Sequence, residues 1–126
     1  MRAAILRDDS GTLNIEDVTI DKPDRNEVLI KTVASGLCHS DLHFIDGSWS
    51  FLAMYPMLLG HEAAGVVQAV GEDVVGIQTG DHVITCLSMF CGYCERCLTG
   101  HSYLCSERQQ VQGRQPGNQP RITDND

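Results

Sequence analysis

A mainly β fold, a small barrel with short helical additions, is predicted by three features of the sequence. These are apolar runs of strand length, turn residues punctuating them, and a scarcity of helical periodicity. The predicted strands in the first half are Arg2 to Leu6, Leu13 to Ile20, and Glu27 to Ala34, the last carrying Val28, Leu29, Ile30 and Val33. Asp9-Ser10-Gly11 and Lys22-Pro23-Asp24 supply the turns between them. After Gly36, the segment Cys38 to Ile45 has helical character. Gly60 to Val70 is a further strand, with Ala63, Ala64 and Gly65 suited to close backbone approach. Gly71-Glu72-Asp73 and Asp8-Asp9 read as solvated turns, and Gly80-Asp81 leads into a strand at His82 to Thr85, where His82 is expected in the core. No internal repeat is present. Ser106 to Asp126 has only Val111 and Ile122 as apolar side chains and reads as loop, disorder or a cut continuation.

The bulk composition narrows the function. The chain has 126 residues, 42% of them hydrophobic, and a formal charge of -8. That length suits a single domain, and the acidic field repels nucleic acid and anionic membranes. No apolar stretch approaches the ~20 residues of a membrane span, and charge at Arg7-Asp8-Asp9 interrupts the start too early for a signal peptide. The expected address is therefore cytoplasmic. In a reducing compartment, closely spaced thiols read as metal ligands or redox groups before disulfides.

Four of the six cysteines fall within fifteen positions, as Cys91-x2-Cys94-x2-Cys97-x7-Cys105. Four thiolates at such spacing suit tetrahedral zinc in a closed, structural site. Arg96 or Arg108 is placed to offset part of the negative charge of a zinc tetrathiolate. A disulfide pair, free thiols, a thioredoxin-like couple and a nucleic-acid zinc ribbon are the other readings. The missing βαβ surroundings count against the couple, and the acidic balance counts against the ribbon. Cys86, just before the lobe, reads as a small buried hydrophobe.

A second constellation lies upstream. Cys38 and His61 are a thiolate and an imidazole, the mixed donor types of a catalytic zinc. Asp41 and Glu62 stand beside them as carboxylates able to orient the imidazole or balance the ion. Spacing alone leaves a metal site here undecided. His39 and His101 read as exposed or hydrogen-bonded histidines. Trp49, Phe51, Met54, Tyr55, Met57, Leu58 and Leu59 form an apolar cluster that serves either packing or a substrate wall.

Taken in order, Cys38-His39-Ser40-Asp41-Leu42-His43, Gly60-His61-Glu62-Ala63-Ala64-Gly65, Gly80-Asp81-His82-Val83 and the four-cysteine lobe resemble the amino-terminal part of zinc-dependent, medium-chain alcohol dehydrogenases. The stretch from Cys38 to Trp49 is most similar to the tetrameric, yeast-type branch. The resemblance implies a partly open Greek-key barrel of the GroES-like kind over residues 1–105, with the zinc lobe at 91–105 and a polar tail or truncated continuation at 106–126. It implies that Cys38 and His61 are catalytic zinc ligands, and that Glu62 is a carboxylate able to replace bound water. Asp41 is then the partner of the histidine, Ser40 the hydroxyl that contacts the substrate oxygen, and His43 the solvent end of a proton relay. Trp49 and Leu87 fall where the family lines its substrate pocket. A zinc Lewis acid, a small primary alcohol or aldehyde, NAD(P) as hydride carrier and a homo-oligomeric complete enzyme follow from the same resemblance.

Two parts of that pattern have no counterpart here: a second cysteine for the catalytic set, and a Gly-x-Gly-x-x-Gly strand-helix turn for the nucleotide. The chain therefore reads as a fragment or truncated product, the alternatives being a zinc-stabilised binding or assembly module and a thiol redox or metal-buffering protein. Purified 126-residue chain is expected to hold one zinc tightly and to show no alcohol oxidation with either nicotinamide. Zinc-dependent aldehyde formation in a coupled assay would contradict this.

Overall fold

In a computed structural model the described residues are 1–108 and 122–124. Among the described residues, seven strands form two sheets. The first has the order β4 (Met57–Leu58), β1 (Arg2–Leu6), β2 (Leu13–Ile20), β7 (Ile122–Asp124), and the second β3 (Val28–Ser35), β5 (Ala63–Val70), β6 (His82–Ile84). Strand β1 (Arg2–Leu6) pairs antiparallel with β2 (Leu13–Ile20), through the Asp9-Ser10-Gly11 turn read from the sequence. On its other side β1 pairs with β4 (Met57–Leu58). Strand β3 (Val28–Ser35) pairs with β5 (Ala63–Val70), and β5 with β6 (His82–Ile84). The short helices are α1 (His39–Ile45) and α2 (Glu95–Leu98), with 3₁₀ turns at Ser50–Leu52 and Ser102–Leu104. This is the mainly β, partly open barrel expected, with its helices confined to connections.

One compact unit comprises Met1–Thr85 together with β7, and a second begins at Cys86 and contains the cysteine lobe. In the first unit Leu6, Val18 and Val67 are almost fully buried, with Ile5 close behind. They sit on β1, β2 and β5, and since Ile5 and Leu6 are neighbours, β1 is covered on both faces there.

The β3–β5 ladder carries two irregularities, one between Leu29 and Ile30 and one between Thr32 and Ala34. Val33 is the extra residue on β3 and Gln68 the extra residue on β5. Because one bulge lies on each strand they offset one another, and the register that pairs Val28 with Val70 is regained where Ser35 pairs with Ala63. Val33, within an apolar run, is 73% exposed and lies in the part of β3, Lys31 to Ser35, that is exposed throughout.

The turn after β5 fits against the turn before β3. Gly71 is buried, its N–H donates to the carbonyl of Glu27 at 2.9 Å, and Asp73 N–H donates to Arg25 at 2.8 Å. The Arg25 guanidinium closes the same contact on Asp73 at 2.7 Å and Glu72 at 3.2 Å. The Glu72–Asp73 turn is thus ion-paired as well as solvated. Gly65 is equally constrained, since a Cβ there would lie 2.3 Å from the carbonyl oxygen of Lys31. The close approach expected at Ala63-Ala64-Gly65 is realised at the glycine.

Four local readings are corrected. Ile122–Asp124 forms β7 against β2, where composition predicted loop, because an edge strand gains backbone hydrogen bonds without needing apolar side chains. The rest of the segment after Arg108 lies outside the described residues. His82 is exposed and not in the core, since β6 is a short edge strand. Cys86 is exposed and not a buried hydrophobe, its thiol 3.6 Å from the Ser88 carbonyl. The strand predicted from Gly60 begins only at Ala63, leaving Gly60-His61-Glu62 outside the ladder.

A Cβ at Gly71 would meet the Asp24 carbonyl oxygen at 1.9 Å and that of Arg25 at 2.4 Å. Gly71→Ala is therefore expected to destabilise the first unit by about 1–3 kcal/mol, read as a lower urea midpoint.

Candidate metal centres

The upstream centre is assembled by the β3–β5 pairing. Cys38 follows the end of β3, and His61 and Glu62 precede the start of β5, so an antiparallel ladder carries both to the same end of the sheet. Beyond the Ser35–Ala63 pair, Gly36 N–H donates to the Glu62 carbonyl at 2.8 Å. A Cβ at position 36 would lie 2.1 Å from Glu62 Oε2 and 3.1 Å from its Cβ, so any larger residue there would push the Glu62 side chain aside. Gly60, at φ +101°, occupies backbone space that favours glycine and turns the chain into the histidine.

Cys38, His61 and Glu62 each place a donor atom within 4.8 Å of the others. His61 Nε2 and Glu62 Oε1 stand 4.0 Å apart, against about 3.5 Å for an edge of a zinc tetrahedron with mixed donors, and side-chain rotation closes the difference. Thiol, imidazole and carboxylate are chemically the right donors, and Cys38 and His61 are half-buried while Glu62 is exposed.

Asp41 joins the two ligand-bearing segments. Its Oδ2 accepts from Cys38 N–H at 3.2 Å, and its Oδ1 accepts from Gly60 N–H at 3.3 Å. The first of these is half of a capping box, with Cys38 at the N-cap of α1 and Asp41 three residues on. The same Oδ1 lies 3.7 Å from His61 Nδ1, while His61 Nε2 lies 4.0 Å from Glu62 Oε1. One ring nitrogen therefore faces Asp41 and the other faces the donor cluster.

Ser40 and His43 are three residues apart on α1, on neighbouring positions of one helix face. Ser40 Oγ and His43 Nδ1 are both buried without a hydrogen-bond partner among the described residues. A buried polar atom left in this way is costly, and such atoms gather where a ligand completes them. Trp49 packs on the same helix, its ring 4.7 Å from that of His43 and 5.6 Å from that of Phe44. Leu87 belongs to the second unit and is 60% exposed, as are Phe51 at 78% and Met54 at 66% in the apolar cluster. His39 is exposed and rests against His43, and His101 is exposed with Thr99 Oγ1 at 3.3 Å from its Nδ1.

The lobe is built differently. Sγ of Cys97 lies 3.9 Å from that of Cys91 and 3.5 Å from that of Cys94, and Sγ of Cys94 lies 4.0 Å from that of Cys105. A tetrahedral ion with Zn–S of about 2.3 Å has S···S edges of about 3.8 Å, whereas a disulfide requires about 2.0 Å. All four cysteines are free thiols, and Cys105 is buried. Backbone amides already point at the sulfurs, Cys91 N–H to Cys105 Sγ and Cys94 N–H to Cys91 Sγ, both at 3.3 Å. Hydrogen bonds from the Cys97 and Ser106 backbone hold the Cys94 thiol down to about 5, while burial pushes Cys97 up to about 11. Four thiols this close cannot all ionise without a cation, so one takes the negative charge and its neighbour keeps its proton. Zn²⁺ removes that conflict, and the four-cysteine cluster fits it. Arg108, read from sequence as a counter-charge, instead places Nη2 3.5 Å from the Leu87 carbonyl.

Residues 24–120 match the alcohol dehydrogenase GroES-like domain model. The chain belongs to that family. It is 41% identical over 110 residues to an alcohol dehydrogenase of Moraxella sp. (strain TAE123), covering 86% of this chain and 32% of that protein. It is 38% identical over 112 residues to an S-(hydroxymethyl)glutathione dehydrogenase of Saccharomyces cerevisiae, covering 89% and 29%. The crystal structure of an alcohol dehydrogenase zinc-binding domain protein from Burkholderia ambifaria superposes with a TM-score of 0.82 at 36% identity, over 98% of this chain and 33% of that one. The chain thus spans about 30% of the length of these relatives of the GroES-like family. Their names place the family among oxidoreductases acting on alcohols.

Sequence reasoning missed Gly36 and Thr85 as parts of the upstream centre. Gly36 was visible only as the residue before the α1 segment, and Thr85 only as the end of a strand. In the lobe, Cys105→Ser is expected to remove the tightly held zinc and with it most of the roughly 10–16 kcal/mol that such an ion contributes. Zinc per chain after desalting, and amide protection across Glu95–Leu98, report the loss.

Proposed function

We propose that the chain is the amino-terminal catalytic segment of a zinc-dependent alcohol dehydrogenase that interconverts primary alcohols and aldehydes with a nicotinamide cofactor. The observation that carries this reading is the convergence of Cys38, His61 and Glu62 beside Asp41, with Ser40 and His43 on the adjoining helix. On this reading residues 1–105 are the GroES-like domain and the lobe at 91–105 is its structural zinc site.

Cys38, His61 and Glu62 would hold the catalytic zinc, which when bound supplies Lewis acidity that lowers the pKa of an alcohol oxygen. Asp41 holds His61 through Nδ1 and keeps Nε2 turned to the donor cluster, the role of a carboxylate behind a metal-ligating histidine. The Ser40 hydroxyl accepts the alcohol proton at Oγ and releases its own toward His43, whose imidazole returns it to solvent. Trp49, packed against His43 and Phe44, presents an apolar surface to the substrate carbon chain. Hydride acceptance is the chemistry of the nicotinamide, bound outside this chain.

With the lobe filled by zinc, Co²⁺ is expected to enter a second, weaker site and to show a cysteine-to-cobalt charge-transfer band. His61→Ala should remove that band and leave the lobe zinc in place. Bound Co²⁺ should also speed the proton relaxation of a primary alcohol in solution. Cobalt bound equally well by Cys38→Ser and His61→Ala variants would sink the reading.

A further inference from the structure

We infer that Thr85 is a positioning residue for the metal-ligating segment Gly60-His61-Glu62, acting through its side-chain hydroxyl. The inference rests on the reading of Cys38, His61 and Glu62 as a metal site, and names a residue outside the donor set.

Thr85 follows the last residue of β6 and continues its pairing by one step, its N–H donating to the Ala63 carbonyl at 2.8 Å. Two residues facing one another in a hydrogen-bonded antiparallel pair exchange both N–H···O=C bonds. Here the return bond is different. Ala63 N–H donates to Thr85 Oγ1 at 3.0 Å, so a hydroxyl stands where the partner carbonyl would be. That hydroxyl lies 3.1 Å from the His61 carbonyl and 3.3 Å from that of Ala63.

A threonine hydroxyl has one proton to give. The Ala63 carbonyl already accepts from the Thr85 N–H, and the His61 carbonyl is the nearer acceptor. The hydroxyl therefore accepts from Ala63 and donates to His61, bracketing Glu62 from both sides. The backbone leaves the regular ladder at this point, which is why β5 begins only at Ala63.

The Gly60–Ala63 segment is then fixed from three directions. Asp41 takes Gly60 N–H, Gly36 donates to the Glu62 carbonyl, and Thr85 holds His61 and Ala63. The first two belong to the β3 and α1 side. Thr85 alone among these comes from the β6 side, one residue beyond the strand, so it fixes the segment against rotation about the β3 edge. Groups that orient metal ligands without touching the ion typically change affinity by 10–100-fold when removed.

The test uses the whole chain with its lobe loaded with zinc, comparing Thr85→Val, which keeps the branched shape and loses the hydroxyl, with Thr85→Ser, which keeps the hydroxyl. Thr85→Val is expected to bind Co²⁺ at the second site about tenfold more weakly, with the same band at saturation. The Ala63 amide should exchange several-fold faster in that variant. Thr85→Ser should restore both, and the lobe zinc should be unchanged throughout. Native cobalt affinity and native Ala63 protection in Thr85→Val would overturn the inference, as would a Thr85→Ser variant no better than Thr85→Val. Should the unsubstituted chain take up no second ion, the metal reading fails. In that event the Ala63 amide in the same three proteins still decides whether the hydroxyl holds this segment.

Discussion

The antiparallel pairing of β3 with β5 is the constraint on which the upstream centre depends. Two stretches separated by more than twenty positions of sequence meet because one leaves a strand where the other enters its partner. The Ser35–Ala63 pair sets the register, and the Gly36–Glu62 hydrogen bond carries it one step further, to the threshold of Cys38 and His61. A slip of one residue in such a ladder moves every side chain to the opposite face. The bulges at Val33 and Gln68 each introduce such a slip, and their opposite placement cancels it. The register at the Cys38 and His61 end is therefore the one set by the Val28–Val70 pair.

Asp41 turns this meeting of backbones into a site. A carboxylate on the first turn of α1 accepts amides from both segments and also faces the histidine ring. Its helix-capping role and its histidine-orienting role are therefore one arrangement. The capping box alone would mark Asp41 as a residue of local structure. The Gly60 and His61 contacts, nineteen and twenty positions away, tie it to the donor cluster as well.

The two centres differ in what holds them. The cysteine lobe gathers its donors within one short stretch, and its sulfurs already stand at the edges of a zinc tetrahedron, so ion binding and local folding coincide. The upstream donors come from two separate segments and depend on a sheet formed elsewhere. A closed site suits a structural ion, and a looser three-donor site leaves room for an exchangeable oxygen.

The sequence by itself determined whatever depends on residue type and short spacing. The strands β1, β2, β3 and β6 lie where apolar runs between turn residues placed them, and the zinc lobe followed from four thiols at tetrahedral reach. The family followed from four motifs in one order. Tertiary structure decided what depends on pairing partners. It left His82 exposed, because whether an apolar-looking segment is an edge or an interior strand depends on what lies beside it, and it left Cys86 exposed beyond the end of that strand. It made a strand of Ile122–Asp124, because backbone hydrogen bonds to β2 need no apolar pattern. It gave Gly36 and Thr85 their places beside the Cys38–His61–Glu62 cluster, because a missing Cβ or a single hydroxyl acquires meaning only from the atoms a folded chain sets against it.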